Sequence, residues 1–244
     1  MAAEEAAVRR AVEMRRREFA AGRRAARAAL RELLLAARDE DPADADVRHR
    51  LGRLDWKSGR VAAGLEELTR AFELRPKLDA AALDLMEAYL DADAAGYRRW
   101  AAGGGRLGNP QTATAVHGIV NQRYGGFSAA LEGRVRLALA RAGRIEASWP
   151  HEADQAEARL RKALGGTGHA LLLDPADADA HRSYVLTSLA LGLKKGAAAR
   201  HARDAARLAP LVPEHHLLEA VTARSVEERR AALARALAAG VVDD

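Results

Sequence analysis

The chain contains no cysteine. Disulfides, zinc–thiolate sites and thiol catalysis are therefore excluded, and a reducing compartment fits. Aromatic residues make up only 4% of the sequence. Strand-favouring β-branched residues are also scarce beside alanine and leucine, both strong helix formers. No run of about 18 apolar residues occurs, so no membrane span is expected. The opening stretch, MAAEEAAVRRAVEMRRREF, has no uninterrupted apolar segment behind a basic start and does not read as a secretory signal. These absences point to a cytoplasmic, all-helical protein.

What is present agrees with a folded chain. Of its 244 residues, 49% are hydrophobic and 30% charged, a globular balance rather than a disordered one. The formal net charge is +5 and the isoelectric point about 9.9, with arginine far outnumbering lysine. That permits acidic partners or nucleic acid, although a solvated charged surface accounts for it as well.

A repeat organises the sequence. Prolines fall at Pro42, Pro76, Pro110, Pro175 and Pro210, with gaps of 34, 34, 65 and 35 residues, and Gly143 lies near the midpoint of the long gap. Proline lacks an amide donor and disfavours helix in the residue before it, so each ends one helix and lets another begin beyond. The hexapeptide Asp-Pro-Ala-Asp-Ala-Asp occurs at 41–46 and again, unchanged, at 174–179. Its aspartates suit helix N-caps. In the clearest unit, 45–76, Val47, Leu51 and Leu54 share one face of a first helix and Ser58-Gly59 makes a turn. Val61, Leu65, Leu68 and Phe72 then form a stripe on a second helix. Gly52 and Gly64 stand where two helices could pack closely.

This unit resembles the tetratricopeptide repeat (TPR) family. Leu51, Gly52, Gly59, Leu68, Ala71 and Pro76 occupy its Leu-Gly, turn, large-apolar, small and closing-proline places. Gly64 stands where the family usually has alanine, and Trp56 is one place beyond the usual tyrosine. The resemblance implies an all-α, right-handed superhelical solenoid of antiparallel helix pairs, about six to seven repeats. Residues 1–41 would form an atypical capping hairpin and 42–244 the repeat domain, with insertions near 103–109, 143–151 and 165–169. The expected hairpins pair 3–20 with 23–39, 44–57 with 60–74, 79–91 with 94–102 and 111–124 with 127–142. Three more follow: 152–164 with 168–173, 178–191 with 196–208, and 214–223 with 225–239. Ser225 and Glu228 read as a capping box. The stretch EFAAGRRAARAAL also resembles a phosphopantetheinyl transferase segment, but that family's metal-binding acidic motif does not follow, and this resemblance is set aside.

Searches for chemistry return little. None of the eight histidines forms an HExxH pair and no serine sits in a GxSxG elbow. His215 and His216 are adjacent, about 100° apart on a helix, and suit packing better than shared ligation. Gly103, Gly105 and Gly108 match GxGxxG formally, but helix-like sequence precedes them where a strand is required. No catalytic residue, metal or cofactor is expected.

The function expected is therefore a non-catalytic scaffold or adaptor that holds a peptide or partner helix, with or without acidic groups, in a concave groove. In the resembled family the first helix of each repeat lines that groove. Carried over, this places His49, Arg53 and Trp56 on one face, flanked by Arg50 and Lys57, with Gln122, Arg123 and Arg182 in later repeats. Some members clamp a chaperone's C-terminal carboxylate with lysine and asparagine, where this chain has His49 and Arg53. Nucleic-acid binding through arginine-rich faces is the alternative, and an enzyme or ligand sensor built on the glycine loops is a third class. Self-association is also open, because Val226, Leu233 and Leu237 share one side of the last helix.

Overall fold

The computed structural model describes residues 2–101, 111–148, 150–193 and 195–240. They fold into eleven α-helices and two short 3-10 segments, with no strand among them. The helices are α1 (Ala2–Glu40), α2 (Ala45–Lys57), α3 (Val61–Leu74), α4 (Asp79–Ala101), α5 (Gln111–Tyr124) and α6 (Glu132–Ala147). The rest are α7 (Ala156–Leu173), α8 (Ala178–Ala190), α9 (Lys195–Leu208), α10 (Pro213–Thr222) and α11 (Val226–Gly240).

The repeated hexapeptide builds the same corner twice. Asp44 caps α2 by accepting from the amides of Asp46 and Val47 at 2.8 and 3.1 Å. Asp177 caps α8 in the same way, from Asp179 and Ala180 at 2.9 and 3.0 Å. Each satisfies amides that the first helical turn leaves without partners. One residue before each proline, Asp41 and Asp174 accept from the amides of Ala43 and Ala176, both at 3.0 Å. Gly59 and Gly192, in the turns after α2 and α8, take positive φ angles of 84° and 65°, a region open to glycine at little steric cost.

Packing pairs α2 with α3, α4 with α5, α6 with α7, α8 with α9 and α10 with α11. Among the described residues five pairs thus stand where six to seven were expected, because expected hairpins are continuous helices. Where a capping hairpin was expected, Ala2–Glu40 is the single helix α1, which runs through Gly22. It is exposed all round from Ala21 to Leu30. Its last turns dock through Arg31 on Asp55 and Arg38 on Glu67, at 2.8 and 2.9 Å. Likewise α4 continues past residue 91 into the expected partner helix. Helix α7 passes through Gly165, Gly166 and Gly168, which were expected to interrupt it, and α6 runs through Gly143. A Cβ on Gly166 would sit 3.5 Å from the Ala140 methyl of α6, so this glycine marks a close crossing rather than a loop. The glycine cluster at 103–108 lies outside the described residues.

Two glycines set the spacing of α2 and α3. A Cβ on Gly52 would lie 2.8 Å from the Leu68 backbone nitrogen, and one on Gly64 only 2.6 Å from that of Trp56. The stripe on α3 faces inward as its spacing predicts. Leu68 is fully buried, with Val61, Leu65 and Phe72 packed against the main core. That core unites Trp56 of α2 with Leu83, Met86 and Leu90 of α4, Val116 and Val120 of α5, and Val135 and Ile145 of α6. Smaller clusters continue the stack, one around Leu137, Ala170 and Ala180 and another around Val185, Ala198, Ala202 and Leu218.

Candidate functional site

The first helices of successive pairs touch one another: α2 meets α4, α4 meets α6, α6 meets α8 and α8 meets α10. Among the described residues no second helix is in comparable contact with the next. The first helices thus form the more closely packed layer of the stack, termed the inner wall below.

On that wall α4 carries an acidic stripe, Asp84, Glu87 and Asp91, at i, i+3 and i+7. Cations on α2 and α6 flank it. Asp84, only 2% exposed, lies 2.8 Å from His49 Nε2, 3.6 Å from Arg53 and 3.2 Å from Arg134. Arg134 also donates to Glu87 at 3.0 Å. Asp91 accepts from the Trp56 indole N–H and from Arg141, both at 2.7 Å. Burial pushes the Asp84 carboxyl up, but His49, Arg53 and Arg134 outweigh it and hold the group below the usual carboxylate range. Each wall cation of α2 and α6 named here therefore has a carboxylate partner inside the protein, Asp84 serving three of them.

The expected groove residues divide accordingly. His49, Arg53 and Trp56 share the face of α2 that meets α4. The Trp56 ring is 4% exposed and packed in the main core, and the ammonium of Lys57 sits 3.4 Å from its ring centroid. The indole thus joins α2 to α4 and offers a ligand no open face. Arg53 is the most accessible of the three, its side chain 57% exposed, and Arg50 is exposed beside it. Gln122 and Arg123 are exposed near the end of α5. That helix was expected to come first in its pair, but it is second, so the two residues are not brought to the inner wall. Arg182 does lie on a first helix, α8, half-buried.

Two features of the wall escape a reading of the sequence. One is the acidic stripe, whose signal was three acids at helical spacing in an otherwise apolar segment. The other is Arg144 on α6. It makes no hydrogen bond or ion pair among the described residues, and its Nε is fully buried. Burial, then the charges of Arg141 and Arg182, push its guanidinium down to about 10. Arg182 likewise has no ion-pair partner among the described residues. Where α6 meets α8, the inner wall thus carries positive charge that no carboxylate among the described residues pairs with.

Antiparallel helix pairs with a shared inner wall define a helical-repeat protein. This chain has the fold of the tetratricopeptide-repeat proteins. It is similar to TTC0263, a thermophilic TPR protein of Thermus thermophilus, at 20% identity over 80% of this chain and 90% of that one, with a TM-score of 0.63. Two looser likenesses, too loose to build on, are MamA and YrrB. MamA is 14% identical over 80% of this chain and 91% of its own, with a TM-score of 0.44. YrrB, described as a TPR protein with an unusual peptide-binding site, is 13% identical over 86% and 95%, also at 0.44. No curated protein matches the sequence. The model of the 4'-phosphopantetheinyl transferase N-terminal domain matches residues 3–63, a quarter of the chain. The matched segment includes the EFAAGRRAARAAL stretch and spans α1, α2 and the first residues of α3. No helix is long and apolar enough to cross a membrane, among the described residues.

Proposed function

We propose that the protein is a non-catalytic scaffold that holds an acidic segment of a partner protein against the α6–α8 part of its inner wall. One observation carries this reading. Arg53, Arg134 and Arg141 are matched by Asp84, Glu87 and Asp91, whereas Arg144 and Arg182 have no matching acid among the described residues. A guanidinium partly withdrawn from water without an anion is unfavourable, and a ligand carboxylate supplies what is missing through charge-assisted, bidentate hydrogen bonds. Arg50 and Arg53, exposed further along the wall, extend the attraction. Trp56 has no part in it, so an acidic ligand fits this wall better than an apolar anchor does. A cytoplasmic setting, supported by the cysteine-free sequence, belongs to the same proposal.

Fluorescence anisotropy with a labelled glutamate-rich peptide tests this. The wild type should bind, and Arg144→Ala with Arg182→Ala should weaken binding by at least about tenfold. The glutamine version of the peptide should not bind. Equal affinity of wild type and double variant would remove the proposal. Tighter binding of a single-stranded oligonucleotide, falling steeply with salt, would favour the nucleic-acid alternative.

Self-association is a second reading, supported by the outer face of α11, where Val226, Leu233 and Leu237 are 56%, 41% and 74% exposed. Sedimentation over a range of concentrations, repeated with Leu237→Glu, tests it.

A further inference from the structure

The α8–α9 hairpin brings two imidazoles together with one carboxylate. His181 Nδ1 and His201 Nδ1 lie 2.8 Å apart. One turn further along α9 from His201, Asp204 adds an oxygen. Each residue offers one ligand atom, and the three atoms all lie within 4.8 Å of one another. His181 is buried, and His201 and Asp204 are half-buried.

Repeat architecture fixes the tautomer of the neutral His181 ring. Its Nε2 lies 3.0 Å from the carbonyl oxygen of Pro175. A carbonyl only accepts, so Nε2 carries the proton and Nδ1 of the neutral ring is a bare lone pair. The same contact recurs wherever a repeat places a donor six residues after its proline. His216 Nε2 reaches the Pro210 carbonyl at 2.9 Å and Arg48 Nε reaches that of Pro42 at 2.7 Å. His181 is thus oriented by the fold rather than by His201. A ring nitrogen donating to a backbone carbonyl while the other faces an open ligand position is the usual outer arrangement of a metal-bound histidine.

The partner ring is also held. Tyr184 packs on His201 with ring centroids 4.1 Å apart. Among the described residues Asp204 accepts only one long bond, 3.4 Å, from Arg207, which leaves most of its lone pairs available there. Two imidazole nitrogens and one carboxylate oxygen, with a fourth position open, are a donor set that suits Zn²⁺. A tetrahedral ion with bonds near 2.0 Å holds its ligand atoms about 3.3 Å apart. The histidine pair need open by only about half an ångström, and the carboxylate need close by less than a side-chain rotation.

We propose that His181 Nδ1, His201 Nδ1 and the Asp204 carboxylate form a Zn²⁺ site that ties the two helices of the fourth pair together. The competing account is a plain hydrogen bond in which His201 donates to His181, and it predicts no metal uptake. The test is calorimetric titration of the chelator-treated, tag-free full chain with ZnCl₂ in a non-coordinating buffer, alongside a melting curve. The expected result is one saturable site per chain and a higher melting temperature with zinc. His201→Ala and Asp204→Asn should each weaken binding tenfold or more, and His169→Ala, a histidine elsewhere in the stack, should leave it unchanged. Asp204 has a side chain 41% exposed, so its variant reports on the site even if His201→Ala folds poorly. Absence of saturable uptake, or uptake that Asp204→Asn leaves intact, would overturn the proposal.

Discussion

Gly52 and Gly64 face each other across the α2–α3 hairpin, each lying against the other's carbonyl oxygen. A methyl group at either position meets backbone atoms that cannot move aside, at 2.6–2.8 Å. Gly64→Ala should therefore lower stability by about 1–3 kcal/mol in urea unfolding, as overpacking does. Gly22 gives the opposite sign. It lies inside α1 with nothing within 4 Å of a Cβ, so Gly22→Ala should stabilise by about 0.5–1 kcal/mol. The two close-packing glycines were legible because a helix interior tolerates glycine only where something offsets its cost. Gly22, Gly143, Gly165 and Gly168 look the same in sequence and lie in continuous helix, since the spacing of glycines does not reveal what approaches them. Asp84 was invisible for a related reason, because its partners come from α2 and α6, far away along the chain. Asp55 belongs with it. Burial raises its pKa, Arg31 and Arg60 lower it further, and the net shift is downward. A group with a depressed native pKa contributes stability above its ordinary value and loses it as pH falls through the native one. The melting temperature should thus hold from neutral pH to about 5 and fall below about 4. Asp84→Asn should be less stable at neutral pH by about 1–3 kcal/mol and show a shallower acid fall.

At the scale of the element, the best-read features are the ends of helices. The hexapeptide at 41–46 and 174–179 gives caps whose bond lengths agree within 0.1 Å, because an aspartate at an N-cap answers a local need that tertiary context does not alter. Asp177→Ala should cost about 1 kcal/mol in thermal unfolding, and Asp177→Asn far less. Helix interiors were read less well. The proline rule divides pairs at Pro42, Pro76, Pro175 and Pro210, but the helix that follows Pro110 is α5, the second member of its pair. Spacing alone cannot tell a proline between repeats from one within a repeat. Placing Gln122 and Arg123 on the inner wall followed from that shift of register. The same shift hid the pairing of α6 with α7, and with it the position of Arg144 on the wall.

Across the whole molecule the stack is unevenly packed. From α2 to α6 the core is built of leucine, methionine, valine and tryptophan, and from α8 onward chiefly of alanine around Val185 and Leu218. Alanine buries little apolar area, so each later interface contributes less. In the last pair the buried face of α11 is Ala232, Ala236 and Ala239, while Leu233 and Leu237 point to solvent. In a repeat array each unit depends on the interfaces it makes with its neighbours. Local opening should therefore rise toward the C-terminal end. Among α2 to α11, amide hydrogen exchange should be slowest in α3 and α4 and fastest in α10 and α11, and uniform protection along these helices would refute this gradient. Two conditions separate its causes. Zinc should slow exchange in α8 and α9 in the wild type but not in Asp204→Asn. A rise in protection of α11 with protein concentration, lost in Leu237→Glu, would come from a second copy covering its leucines. If α11 stays open at every concentration, its exposed leucines are not an interface between copies of this chain.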